Sequence, residues 1–168
     1  MKYSQVQSVA GAVFSSDRKS ILLIQRRDVP VWVLPGGGLE PDELPEQAIE
    51  REILEETGFT VKTVRLAGIY VPINRLSKFT HLYECEIVAG EASISNETKG
   101  VRFFPLAKLP NKIPPPYREW IADSLISAPL KPKKLTSVTY FALLKNFLLH
   151  PILVFRFLLA RLGFPINT

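Results

Sequence analysis

Of the eight carboxylates in GGLEPDELPEQAIEREILEETGF, residues 37–59, five are placed to act together: Glu40, Glu43, Glu52, Glu55 and Glu56. If the segment is helical, Glu52 and Glu56 are i,i+4 neighbours and Glu52 and Glu55 are i,i+3 neighbours, so three carboxylates share one patch. Like charges that close weaken a helix unless a cation neutralises them. Carboxylate oxygens are hard ligands, and the pattern reads as a site for a hard divalent ion. The competing reading is a solvated acidic face with Arg51 and other bases as partners. The ordered spacing between a Gly-rich entry and a Gly exit argues against it.

The elements needed to hold these groups are legible around them. Pro35-Gly36-Gly37-Gly38 follows the apolar run Val31-Trp32-Val33-Leu34 and must be a loop. From Leu44 to Thr57 the periodicity predicts a helix, with Leu44, Ala48, Ile49, Ile53 and Leu54 as its apolar stripe. Pro45 suits its first turn, and Gly58 is placed to end it. Strands are expected at Gln5 to Phe14 and, as its neighbour across the turn Ser16-Asp17-Arg18-Lys19, at Ile21 to Ile24. Val61 to Val71, His81 to Val88 and Gly100 to Phe104 add three more, followed by a short turn over Leu106 to Leu109. Beyond Pro114-Pro115-Pro116, Tyr117 to Ser127 reads as a closing helix with Trp120, Ile121, Leu125 and Ile126 facing inward. No internal repeat, GxGxxG or CxxC pattern competes.

The spacing G-x5-E-x7-R-E-U-x-E-E-x-G-U, with U a bulky apolar residue, resembles the signature of the Nudix hydrolases. Gly37, Glu43, Arg51, Glu52, Ile53, Glu55, Glu56, Gly58 and Phe59 fill every defined place, Phe59 standing where an aliphatic residue is commoner. The resemblance covers roughly the first three quarters of the chain and implies an α/β fold, a Nudix-type α/β/α sandwich with a mixed sheet. It implies metal-dependent hydrolysis of a nucleoside diphosphate linked to another moiety, with Mg²⁺ or Mn²⁺ as cofactor. Glu52, Glu55 and Glu56 would then be metal ligands, with the Gly37 and Gly38 backbone able to complete the shell. Arg51 would orient the glutamates, and Glu43 would brace loop and helix. For the general base, Glu55 is the candidate inside the motif and Glu97, in the polar segment Ser93 to Thr98, the candidate outside it. Two other readings belong to the same fold: a nucleotide-sensing module without hydrolysis, expected to lack motif glutamates, and an isoprenoid-diphosphate isomerase. The isomerase needs a catalytic cysteine, for which mid-strand Cys85 is poorly placed.

The substrate is less legible. Arg26 and Arg27 end the second strand and are candidates to hold phosphate oxygens by forked hydrogen bonds, Arg26 before Arg27, beside Gly36 and Gly38 of the loop. Trp32, Tyr70 and Phe79 offer rings for a base, although strand aromatics are more often core. Arg75 and Lys78 lie in a loop that can reach a ligand, and His81 reads as a strand residue. A nucleotide sugar, a nucleoside triphosphate, a dinucleoside polyphosphate and ADP-ribose all fit.

Charge and composition divide the chain at about residue 130. Six of its 21 bases and none of its 16 acids fall in residues 130–168, so residues 1–129 carry a net charge of −1 and the tail holds the basic excess. Residues 1–129 are expected to form the catalytic domain and residues 130–168 an appendage. It begins with a basic linker, Leu130 to Lys134, and continues as two apolar helices over Tyr140 to Leu149 and Ile152 to Leu162, interrupted at Pro151. Each is about half the length needed to span a bilayer. Peripheral membrane contact and packing, against the domain itself or in a homodimer, through residues 135–164 are the two expectations. The charges are too sparse among Leu and Phe for a nucleic-acid polymer to be expected. The lone Cys85 suits a reducing cytosol and the N-terminus lacks a signal-peptide core, so a cytoplasmic enzyme is expected, peripheral membrane contact aside. That peripheral contact would be at the inner face of a membrane.

Overall fold

The computed structural model describes residues 7–126, 131–149 and 151–162. In chain order the elements are β1 (Ser8–Val13), β2 (Ser20–Arg26), β3 (Trp32–Val33), α1 (Pro45–Thr57), β4 (Phe59–Val71), β5 (Thr80–Gly90), β6 (Thr98–Pro105), α2 (Tyr117–Ser124), β7 (Lys133–Lys134), α3 (Tyr140–Leu149) and α4 (Pro151–Arg161). A short 3₁₀ turn, Leu106–Lys108, follows β6.

Two sheets carry the fold. One is mixed, in the order β1-β5-β4-β7, with β1 parallel to β5 and β7 parallel to β4; the other is antiparallel, β3-β2-β6. Alternation along the strands splits the core into two layers, because successive side chains leave a strand on opposite faces. Val9 and Val13 of β1, Leu22 of β2 and Tyr83 and Cys85 of β5 pack with Ala48, Ile49 and Ile53 of α1. Ala10, Ala12, Ile21, Leu23 and Leu82 face the other way, onto Trp120 and Ile121 of α2. Strands buried on both faces between helices make the expected α/β/α sandwich.

Several expectations are corrected. β1 and β2 are not sheet neighbours: an isolated bridge between Phe14 and Ile21 joins them, after which each strand enters a different sheet. The first strand begins at Ser8, and residues 5 and 6 lie outside the described residues. On α1, Ala48, Ile49 and Ile53 are fully buried, whereas Leu44 is 51% and Leu54 48% exposed. Leu44 stands outside the helix as its N-cap, and Glu56 and Thr57 are buried in the last turn instead. The closing helix ends at Ser124, leaving Leu125 and Ile126 exposed, while Ser127 lies outside the described residues.

The basic segment is not a free linker over its described part. Lys133 and Lys134 pair with Tyr70 and Val71, the Lys133 ammonium donates to Asp123 at 2.5 Å, and Leu135 is buried in the α2-side core. Pro151 starts α4, in the first-turn position where its missing N–H costs nothing. The two tail helices pack on each other and return to the domain. Arg156 donates to the main-chain oxygens of Asp28 and Arg27 at 2.6 and 2.8 Å, and Asn74 donates to that of Val138 at 2.7 Å. Among the described residues, no helix is long and apolar enough to cross a membrane.

Candidate active site

The Gly-rich loop is pinned to the sheet, so the groups it presents are held in place. Val9 N–H donates to the Gly37 oxygen at 2.9 Å and Gly11 N–H to the Pro35 oxygen at 2.8 Å. Gly36 has φ 144°, and a Cβ there would stand 2.2 Å from the Val9 oxygen, so no larger residue fits. On the far side, α1 ends at Gly58 (φ 77°), whose N–H donates to the Leu54 oxygen at 2.9 Å. Its left-handed conformation turns the chain directly into β4.

Arg51 links loop and helix. Its guanidinium forks onto Glu43, Nε to Oε1 at 2.8 Å and Nη2 to Oε2 at 2.9 Å, and also donates to the Gly38 oxygen at 3.2 Å. Nη1 reaches Glu52 at 3.1 Å and Glu55 at 3.3 Å. Glu43, through its hydrogen bond, then the adjacent Glu52 charge, makes Arg51 harder still to deprotonate against the cost of burial. Its Oε2 also accepts from Glu40 N–H at 2.9 Å, closing the loop before the helix.

Glu56 is the most confined of the acids. It is buried, and its Oε2 accepts from Gly36 N–H at 2.8 Å. Burial above all, with the charges of Glu52 and Glu97 added, pushes its pKa up to about 8 against the pull of the Gly36 N–H and Arg26. Burial also raises Glu52, with Glu55 and Glu97 adding to the effect and Arg51 opposing it. Three carboxylates, Glu43, Glu52 and Glu55, share the one Arg51 guanidinium and Glu56 is held by a backbone N–H alone, an arrangement with more carboxylate than bound cation, which a hard divalent ion would relieve. Among the described residues no three such side chains already converge on one point: Glu56 turns to Gly36, while Glu52 and Glu55 lean on Arg51. Each carboxylate is held by a hydrogen-bond donor, and Glu52, Glu55 and Glu56 are the residues that could hold the ion. The Gly37 oxygen keeps one lone pair beside its bond from Val9.

Glu97 comes into this neighbourhood through its loop. Thr98 Oγ1 donates to the main-chain oxygen of Glu56 at 2.9 Å and Ser93 N–H to that of Thr57 at 2.8 Å, tying the segment to the end of α1. Arg27 braces the same loop, giving its main-chain N–H to the main-chain oxygen of Glu97 at 2.9 Å and Nε to that of Ser95 at 3.0 Å. The Arg27 guanidinium thus commits its Nε to a loop carbonyl, and Arg26, not Arg27, is in the lining of the neighbouring cavity.

A cavity of about 1020 Å³ opens on the other side of the glycine loop, and none of Glu52, Glu55, Glu56 and Glu97 is in its lining. Arg26, Gly36, Gly37, Gly38 and Lys78 are in its lining. Arg26 is clamped by Asp28, Nε to Oδ1 at 2.8 Å and Nη2 to Oδ2, and that bond first of all raises its pKa. The Asp28 clamp was not legible in the sequence, although an acid two residues beyond a strand-end arginine is a usable hint. The tail is the larger surprise: Leu143 of α3 and Val154 and Phe157 of α4 also line the cavity. Of the ring candidates, Tyr70 is core, stacked on Trp120 at 4.9 Å with its hydroxyl on Asp123; Trp32 packs on Phe104, and Phe79 lies against His81.

A family model described as the NUDIX domain matches residues 5–124. The chain belongs to the Nudix family. Relatives of this Nudix hydrolase include a putative 8-oxo-dGTP diphosphatase of Bacillus subtilis (strain 168), 36% identical over 118 residues, covering 68% of this chain and 76% of the relative. An ADP-ribose pyrophosphatase of Methanocaldococcus jannaschii is 33% identical over 120 residues, covering 64% of this chain and 70% of the relative. Among solved structures, an ADP-ribose pyrophosphatase from Streptococcus suis 89-1591 superposes with a TM-score of 0.61 at 26% identity, over 76% of this chain and 96% of that one. The Nudix motif is thus embedded in the sandwich that its relatives share.

Proposed function

We propose that this Nudix hydrolase cleaves a diphosphate linkage in a nucleoside diphosphate joined to another moiety, with Mg²⁺ or Mn²⁺ held by Glu52, Glu55 and Glu56. The observation that carries the reading is the excess of carboxylate around buried Glu56, set against a pinned glycine loop at the edge of a large cavity. When bound, the ion neutralises diphosphate charge and makes a coordinated water a stronger nucleophile. The protein's own share is positioning. Arg51 holds Glu52 and Glu55 from one side while Glu43 fixes Arg51, and Gly36 fixes Glu56 from the other side. Glu55 takes the proton from the attacking water; Glu97 is the second reading, favoured by its electrostatic reach to both Glu52 and Glu56.

Arg26, pre-oriented by Asp28, and the Gly36 and Gly38 backbone hold phosphate oxygens. The cavity, at about 1020 Å³, stands at the upper end of the usual range for ligand sites, which supports a nucleotide carrying a further group. The relatives' names, with 8-oxo-dGTP and ADP-ribose among them, point to nucleotides as the class. A panel of nucleotide sugars, ADP-ribose, nucleoside triphosphates and dinucleoside polyphosphates, followed by product analysis, tests the reading. Cleavage of the P–O–P linkage of a nucleoside diphosphate derivative is expected; failure to cleave any panel member with either metal would overturn the reading.

A further inference from the structure

The α3–α4 hairpin has two apolar faces, and the domain uses one. Ala142, Leu143, Val154 and Phe157 line the cavity. On α3, Tyr140, Phe141, Leu144 and Leu148 are exposed, and their spacing sets them along one side of the helix. Phe155 and Leu158 of α4 and Leu162, just past its end, are exposed at the same spacing. Phe141 is 77% and Leu148 74% exposed, values at which a single large apolar residue is ordinary but a row of them is not. A helix apolar all round is normally covered all round. Among the described residues, nothing covers the outer face of the hairpin.

Charge decides which partner fits that face. Residues 130–168 contain six bases and no acid. Lys131, Lys134 and Lys145 are exposed, and Lys145 lies one turn from Phe141 on α3. A second copy meeting this face about a two-fold axis would set one acid-free segment against another, with no carboxylate from either tail to neutralise it. An anionic lipid surface offers what the hairpin lacks: an apolar layer for the rows of Phe and Leu, and phosphate charge for lysines whose stems reach from that layer. The helices have 10 and 11 residues, too short to span and long enough to lie in the interface.

From this complementarity we infer that the outer face of α3–α4 docks the protein on an anionic bilayer. The site is separate from the motif glutamates, so its failure would leave the hydrolase reading untouched. Flotation of the full chain with phosphatidylcholine vesicles, with and without phosphatidylglycerol, tests it. Co-flotation is expected with the anionic vesicles, lost when Phe141 and Leu148 are both changed to Asp, with the thermal melt of that variant unaltered. Changing Lys131, Lys134 and Lys145 to Gln should lower partitioning on the order of a hundredfold and remove most of its salt dependence. Absence of flotation with either vesicle overturns the inference. So does a full-length dimer that the Phe141→Asp, Leu148→Asp variant converts to monomer, since a second copy then covers the face.

Discussion

Gly37 and Glu52 leave no room between them: a Cβ at Gly37 would stand 2.5 Å from Oε1 of Glu52. The obstruction is the end of a side chain, which can swing aside, and not backbone. Gly37→Ala should therefore cost little stability, with a melting temperature within a few degrees of the parent. Activity should fall on the order of a hundredfold, because a displaced carboxylate misplaces what it holds. A variant that melts normally and turns over normally would show that Glu52 need not occupy this position.

Arg51 and Glu43 meet through a two-point fork that lysine cannot reproduce. Arg51→Lys keeps the charge yet loses the bond to the Gly38 oxygen and the simultaneous reach to Glu52. We expect a loss of about 1–2 kcal/mol in chemical denaturation and a larger proportional loss in kcat than in apparent affinity. A rise in KM with kcat unchanged would assign Arg51 to substrate binding instead.

Glu56 makes the metal-free protein sensitive to pH. Its pKa is raised from 4.5 to about 8, so the folded state retains a proton that the unfolded chain releases. The stability this group contributes is complete below about 4.5 and is lost as pH rises toward and through about 8. In chelator the melting temperature should decline across that window, and Glu56→Gln should flatten the slope. Added Mg²⁺ should raise the melting temperature more at the alkaline end, because the ion competes with that proton. A metal effect that is largest at acid pH would contradict the assignment.

The base is settled by order of loss. Glu55→Gln should lower kcat by about 10²–10⁴, with Glu97→Gln within about tenfold of the parent. The opposite order would move the base to the loop that Thr98 ties to α1.

What was legible in the sequence was local. Glu43, Arg51, Glu52, Glu55, Glu56 and Gly58 are separated by fixed spacings on one helix and its entry loop, so their proximity needs only helical geometry. Leu44 and Leu54 were misjudged because apolar periodicity marks a stripe wider than the face the sheet covers. Leu125 and Ile126 failed differently: the helix stopped first. The tail was legible in composition but not in position. Leu135 enters the core because Lys133 pairs with Tyr70, and Arg156 finds the carbonyls of Arg27 and Asp28 far back in the chain. Such contacts leave no periodic trace.

The central claim, hydrolysis of a diphosphate by an ion held on α1, is tested most directly by metal add-back. Protein stripped with chelator is titrated with Mg²⁺ or Mn²⁺ while nucleotide cleavage is followed across the panel. The account predicts no turnover without metal and saturable recovery on adding it, abolished by Glu52→Gln with Glu56→Gln. Nucleotide binding without cleavage of any panel member, at any concentration of either metal, would contradict it and make the protein a sensor built on the same fold.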